Sequence, residues 1–243
     1  LELHSLLKDT IIGRTLTFRP AANGWEVGVQ AARQVLPLLF PAARGADFPL
    51  LTAVAPAALA EFFRGEQRYR QAAFEEALGH YWRAVEADSG FALAALRGAQ
   101  AATWTSRPDQ ARALVAIAMA RSVTLPQRFR GLVNGLDAYL HGRADSAVSY
   151  LRGAVREDEN SPEGWMLLGE TFTHLLPSDS PLDSLAEDAF RRTHRLDSTF
   201  TPVLFHLIEI AARRGDTVEG ARELRTFRTG NPDSIELGSA ELM

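Results

Sequence analysis

Cysteine is absent from the 243 residues. Disulfides and thiolate metal sites are therefore excluded, and the redox compartment stays open. Lysine is almost absent too, with Lys8 the only one among 26 basic residues. A coding bias toward arginine explains this more simply than selection for phosphate binding. There is no long basic run and the formal net charge is −4, which argues against nucleic acid as the partner. No apolar run reaches the roughly twenty residues that cross a bilayer. The stretch from Phe48 to Phe63 comes nearest, and Pro49, Pro56 and Glu61 interrupt it. The chain opens on leucine, so it reads as a trimmed or processed piece, and a signal or anchor ahead of it would not be seen. GxSxG, a glycine-rich phosphate loop and HExxH are all missing. The six histidines, His4, His80, His141, His174, His194 and His206, are scattered, and no two sit three or four apart as a helical metal pair would. Acidic pairs such as Glu75 and Glu76 read as solvated helix ends. The expectation is no catalytic residues, no metal and no cofactor.

What is present is a spacing. At 46% hydrophobic and 23% charged residues, the composition is that of an ordinary folded protein with enough chain to bury a sizeable core. Residues 58–89 read as two amphipathic helices around a tight turn. Gly65, Ala77, Tyr81 and Ala84 fall at intervals of twelve, four and three, and Gly135, Ala147, Leu151 and Ala154 repeat those intervals seventy residues later. Small residues at 65 and 77 let two antiparallel helices approach closely. Tyr81 and Ala84 share one face of the second helix, a bulky knob beside a shallow seat. One hairpin cannot bury its own apolar face, so neighbours must stack.

This pattern resembles the tetratricopeptide repeat. The resemblance covers several units, and the fourth matches best in its first helix, with Trp165, Leu168, Gly169 and Phe172, and with Phe190 resuming the pattern in its second helix. It departs at Arg68, where that family prefers an aromatic, and at Ser89 and Ser198, where proline is usual. The resemblance implies an all-α fold: a right-handed superhelical solenoid of helix hairpins, with Trp165 packed in the core.

Along the chain, residues 1–56 read as an N-terminal cap or the remnant of a preceding domain. A short strand is expected at 15–18, a helix at 25–40 and an apolar, proline-rich connector at 41–56. The connector is either a cap over the first hairpin or a docking patch. Residues 57–243 read as about five hairpins, with aligned small positions at 65, 99, 135, 169 and 209, the last of them occupied by glutamate, so that the fifth unit is the most degenerate. The fourth turn, LLPSDSPLD, is about five residues longer than the others, with Asp183 or Ser184 as the helix cap. Linkers 87–92 and 196–201, ADSGFA and LDSTFT, resemble each other.

The resemblance further implies a concave groove lined by the first helix of each pair. The expected contacts are Phe62, Glu66, Tyr69 and Arg70 in the first unit and Arg97, Gln100 and Trp104 in the second. Leu132, Leu136 and Tyr139 follow in the third, and Met166, Glu170 and His174 in the fourth. This mixture of rings, aliphatics and a few charges suits a bound peptide or helix. The expected function is a non-catalytic protein–protein interaction scaffold with a protein or peptide partner. The alternative is an accessory structural subunit packed permanently on a larger complex. The layout also loosely resembles the region beyond the membrane anchor in some bacterial serine/threonine kinases and related regulators. That implies part of a larger bacterial regulatory or membrane-associated protein, with an extracytoplasmic place favoured over the cytoplasm.

Overall fold

A computed structural model describes residues 3–5, 10–13, 51, 54–177, 180–230, 232 and 234–243. The chain divides into two compact units, 1–53 and 54–243. Apart from Leu51, the described part of the first is an antiparallel pair, β1 (Leu3–Ser5) and β2 (Thr10–Gly13). Leu3 faces Gly13 while His4 faces Ile11, so an extra residue bulges β2 between them. The β-branched run Thr10, Ile11, Ile12 favours this strand, which the sequence reading did not anticipate. The expected strand at 15–18, the helix at 25–40 and most of the connector lie outside the described residues.

The second unit is all helical among the described residues. Its helices are α1 (Pro56–Arg70), α2 (Phe74–Ala87), α3 (Ala92–Trp104), α4 (Pro108–Ala120), α5 (Gln127–Leu140) and α6 (Ala144–Glu157). They continue with α7 (Pro162–His174), α8 (Ser180–Leu196), α9 (Pro202–Arg214), α10 (Thr217–Thr229) and α11 (Ser234–Glu241). Odd and even helices pair as five successive hairpins, and each second helix packs on the first helix of the next hairpin. Every hairpin thus lends its apolar face to a neighbour, which makes the stack a solenoid.

The local chemistry marks the helix ends. Proline opens α1, α4, α7 and α9, where its missing N–H costs nothing. Ser161 and Asp216 cap α7 and α10 by accepting from the Gly164 and Glu219 amides at 3.1 and 2.9 Å. Inside the hairpins one turn geometry recurs. Ala72, Ser106, Gly142 and Gly215 all have φ between 54° and 70°. The following amide in each reaches back five residues: Ala73 to Arg68, Arg107 to Ala102, Arg143 to Ala138 and Asp216 to Ala211, at 2.9–3.1 Å. These are left-handed helix stops that satisfy orphan carbonyls. Between hairpins an aspartate does the equivalent work: Asp88, Asp158 and Asp197 each accept from the amide two residues on at 3.0 Å.

The anticipated stations make the close contacts. A Cβ on Gly65 would lie 2.7 Å from the Tyr81 ring, one on Gly135 2.5 Å from Leu151, and one on Gly169 2.5 Å from the Phe190 ring. Ala77, Ala84, Ala147 and Ala154 are buried alongside. In the second hairpin Ala99 is buried, and its neighbour Gly98 is also a close approach, with Leu114 3.1 Å from a Cβ there. Two details differ from expectation. Trp165 is half-buried rather than core: its indole donates to the Glu159 carbonyl at 2.9 Å, and the Arg192 guanidinium lies 5.7 Å over its ring. The extra residues of the fourth turn partly enter the helix, since α8 starts at Ser180 and runs 17 residues against 14 for α2. Asp183 and Ser184 therefore lie inside α8 rather than at its cap.

Three glycine-to-alanine substitutions separate packing from backbone. Gly135→Ala should cost about 1–3 kcal/mol by overpacking against Leu151. Gly142→Ala, with φ +67° and open space around it, should cost about 1 kcal/mol through backbone strain alone. Gly153→Ala, within α6 with nothing near its Cβ position, should gain about 0.5–1 kcal/mol. Urea unfolding of the three variants checks the signs and the order.

Candidate functional site: the inner face of the first helices

The first helix of each hairpin ends on an inner face. Tyr69, Trp104, Tyr139 and His174, thirty-five residues apart, stand at or next to the last residue of α1, α3, α5 and α7. The first three, with Gln100, Thr103, Met166, Leu167 and Glu170, line one cavity of about 10 Å³. That is room for about one water molecule. The predicted residues Tyr69, Gln100, Trp104, Tyr139, Met166 and Glu170 are thus brought together.

The others go elsewhere. Phe62 packs in the core, 5.0 Å from the Phe91 ring and 6.0 Å from the Tyr81 ring. Leu132 and Leu136 are fully packed, at 2% and 0% exposure, so a bound partner could not reach them. Their positions serve helix-to-helix contact and not the groove. Glu66 and Arg97 are spent on each other: Arg97 donates from Nε and Nη2 to both Glu66 oxygens at 2.7 and 3.0 Å. The Tyr81 hydroxyl donates to Glu66 at 2.6 Å, and Arg97 also donates to Gln100 at 2.9 Å. Burial alone would raise the Glu66 pKa, but the guanidinium beside it holds the carboxyl below its usual range. Burial pushes the Tyr81 and Tyr69 phenols up, so both stay neutral.

The winding is tight enough for the inner face to close on itself. Arg70, at the end of α1, pairs with Asp197 and donates to the Thr199 hydroxyl at 3.2 Å. The Thr201 hydroxyl donates to the Arg70 carbonyl. The Tyr69 and Phe200 rings lie 5.7 Å apart, and Trp104 comes 5.1 Å from His206. The first and second hairpins therefore touch the fifth. The concave groove expected from sequence is narrow here and largely filled by these side chains. Trp104, Tyr139, Arg70 and His174 keep partial exposure at its mouth.

At one end of this face the Glu170 carboxylate sits between two imidazoles. His206 Nε2 is 2.8 Å from one oxygen and His174 Nε2 is 3.2 Å from the other. Burial opposes the charge on Glu170, yet His206 and His174 hold its carboxyl down at about 2. Burial likewise opposes a charged His206, and the Glu170 and Glu209 carboxylates push it up to about 9. His206 belongs to α9 and was not among the candidate residues. A glutamate four before a histidine was the available signal, but a search for histidine pairs passes over it.

Arg97→Ala strands a buried carboxylate and should cost about 3–5 kcal/mol. Arg112→Ala, which removes only an exposed pair with Asp109, should change stability by less than about 0.5 kcal/mol. Glu66 and Asp197 both have folded pKa values below their ordinary 4.5 and 3.8, against the pull of burial and because of Arg97 and Arg70. Their contribution is complete above those values and is lost as the pH falls through the folded ones. The urea midpoint should hold down to about pH 4.5 and fall below it, less steeply in Glu66→Gln.

No protein-family model matches the chain, and no curated protein sequence matches it. Solved structures do. YrrB, described as a TPR protein with an unusual peptide-binding site, is 15% identical, over 87% of this chain and 98% of its own, with a TM-score of 0.43. PilW, a type IV pilus biogenesis factor, is 16% identical over 90% and 92%, TM-score 0.44. Pseudomonas aeruginosa pilF is 17% identical over 90% and 99%, TM-score 0.41. The architecture of this chain stands on its own geometry. Five stacked hairpins, the first, third and fourth with a glycine of the first helix seated on a large residue of the second, and all but the fourth with a left-handed turn between the two helices, make a helix-hairpin solenoid.

Proposed function

We propose that this chain is a non-catalytic protein-interaction scaffold and that its partner is an extended peptide segment held at the mouth of the inner face. One observation carries the reading. Four successive first helices deliver Tyr69, Trp104, Tyr139 and His174 to one face at a constant interval, and the last three keep partial exposure. Rings that expose an apolar body and a polar edge are the side chains that dominate binding energy when a partner covers them. The cavity beneath them holds only about 10 Å³, so the contact is shallow. A helix needs a width of about 10 Å, which disfavours it against an extended strand of peptide.

The accessory-subunit alternative calls for a broad apolar face. Val123, Val218 and Leu242 are exposed at 82%, 81% and 90%, but they lie apart along the chain, between α4 and α5, on α10 and just after α11, and isolated apolar residues are ordinary on a protein surface. The scaffold reading is therefore preferred.

Peptides selected from a random display library against the intact chain should lose affinity at least about tenfold with Trp104→Ala or Tyr139→Ala, about 1.4 kcal/mol each. They should be indifferent to Val218→Ala on α10. Indifference to both ring deletions, with the fold intact by circular dichroism, would overturn the assignment.

A further inference from the structure

We propose that Glu170, His174 and His206 form a binding site for a first-row divalent cation of the zinc type. Each offers one ligand atom, and the three atoms all lie within 4.8 Å of one another. Ligands on a tetrahedral ion at about 2.1 Å are about 3.4 Å apart. Glu170 already reaches His206 Nε2 at 2.8 Å through one oxygen and His174 Nε2 at 3.2 Å through the other, so a turn of the carboxylate presents one of them to the ion. Bringing the two imidazoles together needs only a rotation of His174, whose side chain is 44% exposed and stands at the end of α7. Two histidines and one carboxylate are a donor set suited to zinc, cobalt or nickel rather than to calcium or magnesium.

Three further features favour a cation there. His206 is held in orientation, since its ring stacks on Phe190 at 4.4 Å and 7° and meets Trp104 at 5.1 Å. Its other nitrogen, Nδ1, faces a Glu209 oxygen at 3.6 Å and makes no hydrogen bond. A carboxylate behind a ligating imidazole is the arrangement that fixes its tautomer and raises its basicity. The site also adjoins the C-terminal end of α7, where the helix dipole favours positive charge. The exposure of His174 leaves a coordination position to water. Such an ion would tie α7 to α9, the first helices of the fourth and fifth hairpins, across the inner face.

Imidazole protons compete with metal, so the test belongs at pH 8. Chelator-stripped, tag-free chain is titrated with zinc chloride by calorimetry, and with cobalt(II) by visible absorption. The expected result is one ion per chain, a d–d spectrum of four- or five-coordinate cobalt, and a zinc-dependent rise in Tm. His174→Ala, an exposed position that the fold tolerates, should weaken zinc at least tenfold and abolish the Tm rise, and Glu170→Gln should do the same. His141→Ala, an exposed histidine in a turn, should leave binding unchanged. No zinc binding, or equal affinity in His174→Ala and wild type, would overturn the site and leave a proton-bridged Glu170–His206 pair in its place.

Discussion

The first, third and fourth hairpins depend on one contact: a glycine of a first helix seated against a large side chain of its second. Gly65 on Tyr81, Gly135 on Leu151 and Gly169 on Phe190 leave no space for even a methyl group. A missing side chain lets two helix backbones approach, and the large residue fills the volume from the other side at interior density. The contact fixes how far apart the helices lie and how each is rotated. That rotation decides which residues of the first helix face inward. Tyr69, Tyr139 and His174 follow these glycines by four or five residues, about one turn of helix.

A second constraint is electrostatic. Glu66 and Arg97 lie on first helices of neighbouring hairpins, α1 and α3, and are almost wholly buried. In a medium of low dielectric neither charge can remain without the other. Two parallel hydrogen bonds and a tyrosine hydroxyl satisfy the carboxylate, which sets the register between hairpins one and two. The Arg70–Asp197 pair does the same between the first and fifth. Apolar packing alone tolerates a range of winding, whereas a directional bidentate pair does not. The tight curl of the stack and its narrow inner face follow from these pairs as much as from the glycines.

The proposed function rests on what the curl leaves exposed. The inner face is too full to swallow a helix, and its rim offers rings, one arginine and the Glu170 cluster. Rigid rings on a rigid stack lose little conformational entropy on binding. That suits recognition of a flexible segment, whose own ordering is the main cost. The buried carboxylate between two imidazoles adds a chemically distinct corner to the same face, built from two hairpins rather than one.

The hairpin period, the glycine stations and the all-helical class were legible in the sequence because they are local: small and large residues three, four and twelve apart define faces of one or two helices. The likeness of linkers 87–92 and 196–201 was legible for the same reason. Two expectations failed where burial depends on neighbours. Trp165 matched a packing position by spacing yet lies half-exposed with Arg192 over its ring, and Leu132 and Leu136 went to the core instead of the groove. The closure of the first hairpin on the fifth could not be read, because it sums small rotations over four interfaces. His206 and Glu170 are thirty-six residues apart on neighbouring hairpins, and the stacking of the fifth hairpin on the fourth brings them together. Sequence by itself determined the repeating unit, through contacts within reach of one turn of chain. Tertiary structure alone decided the width of the inner face and the residues that meet across it, since the angle between stacked hairpins arises from packing and charge pairing between units.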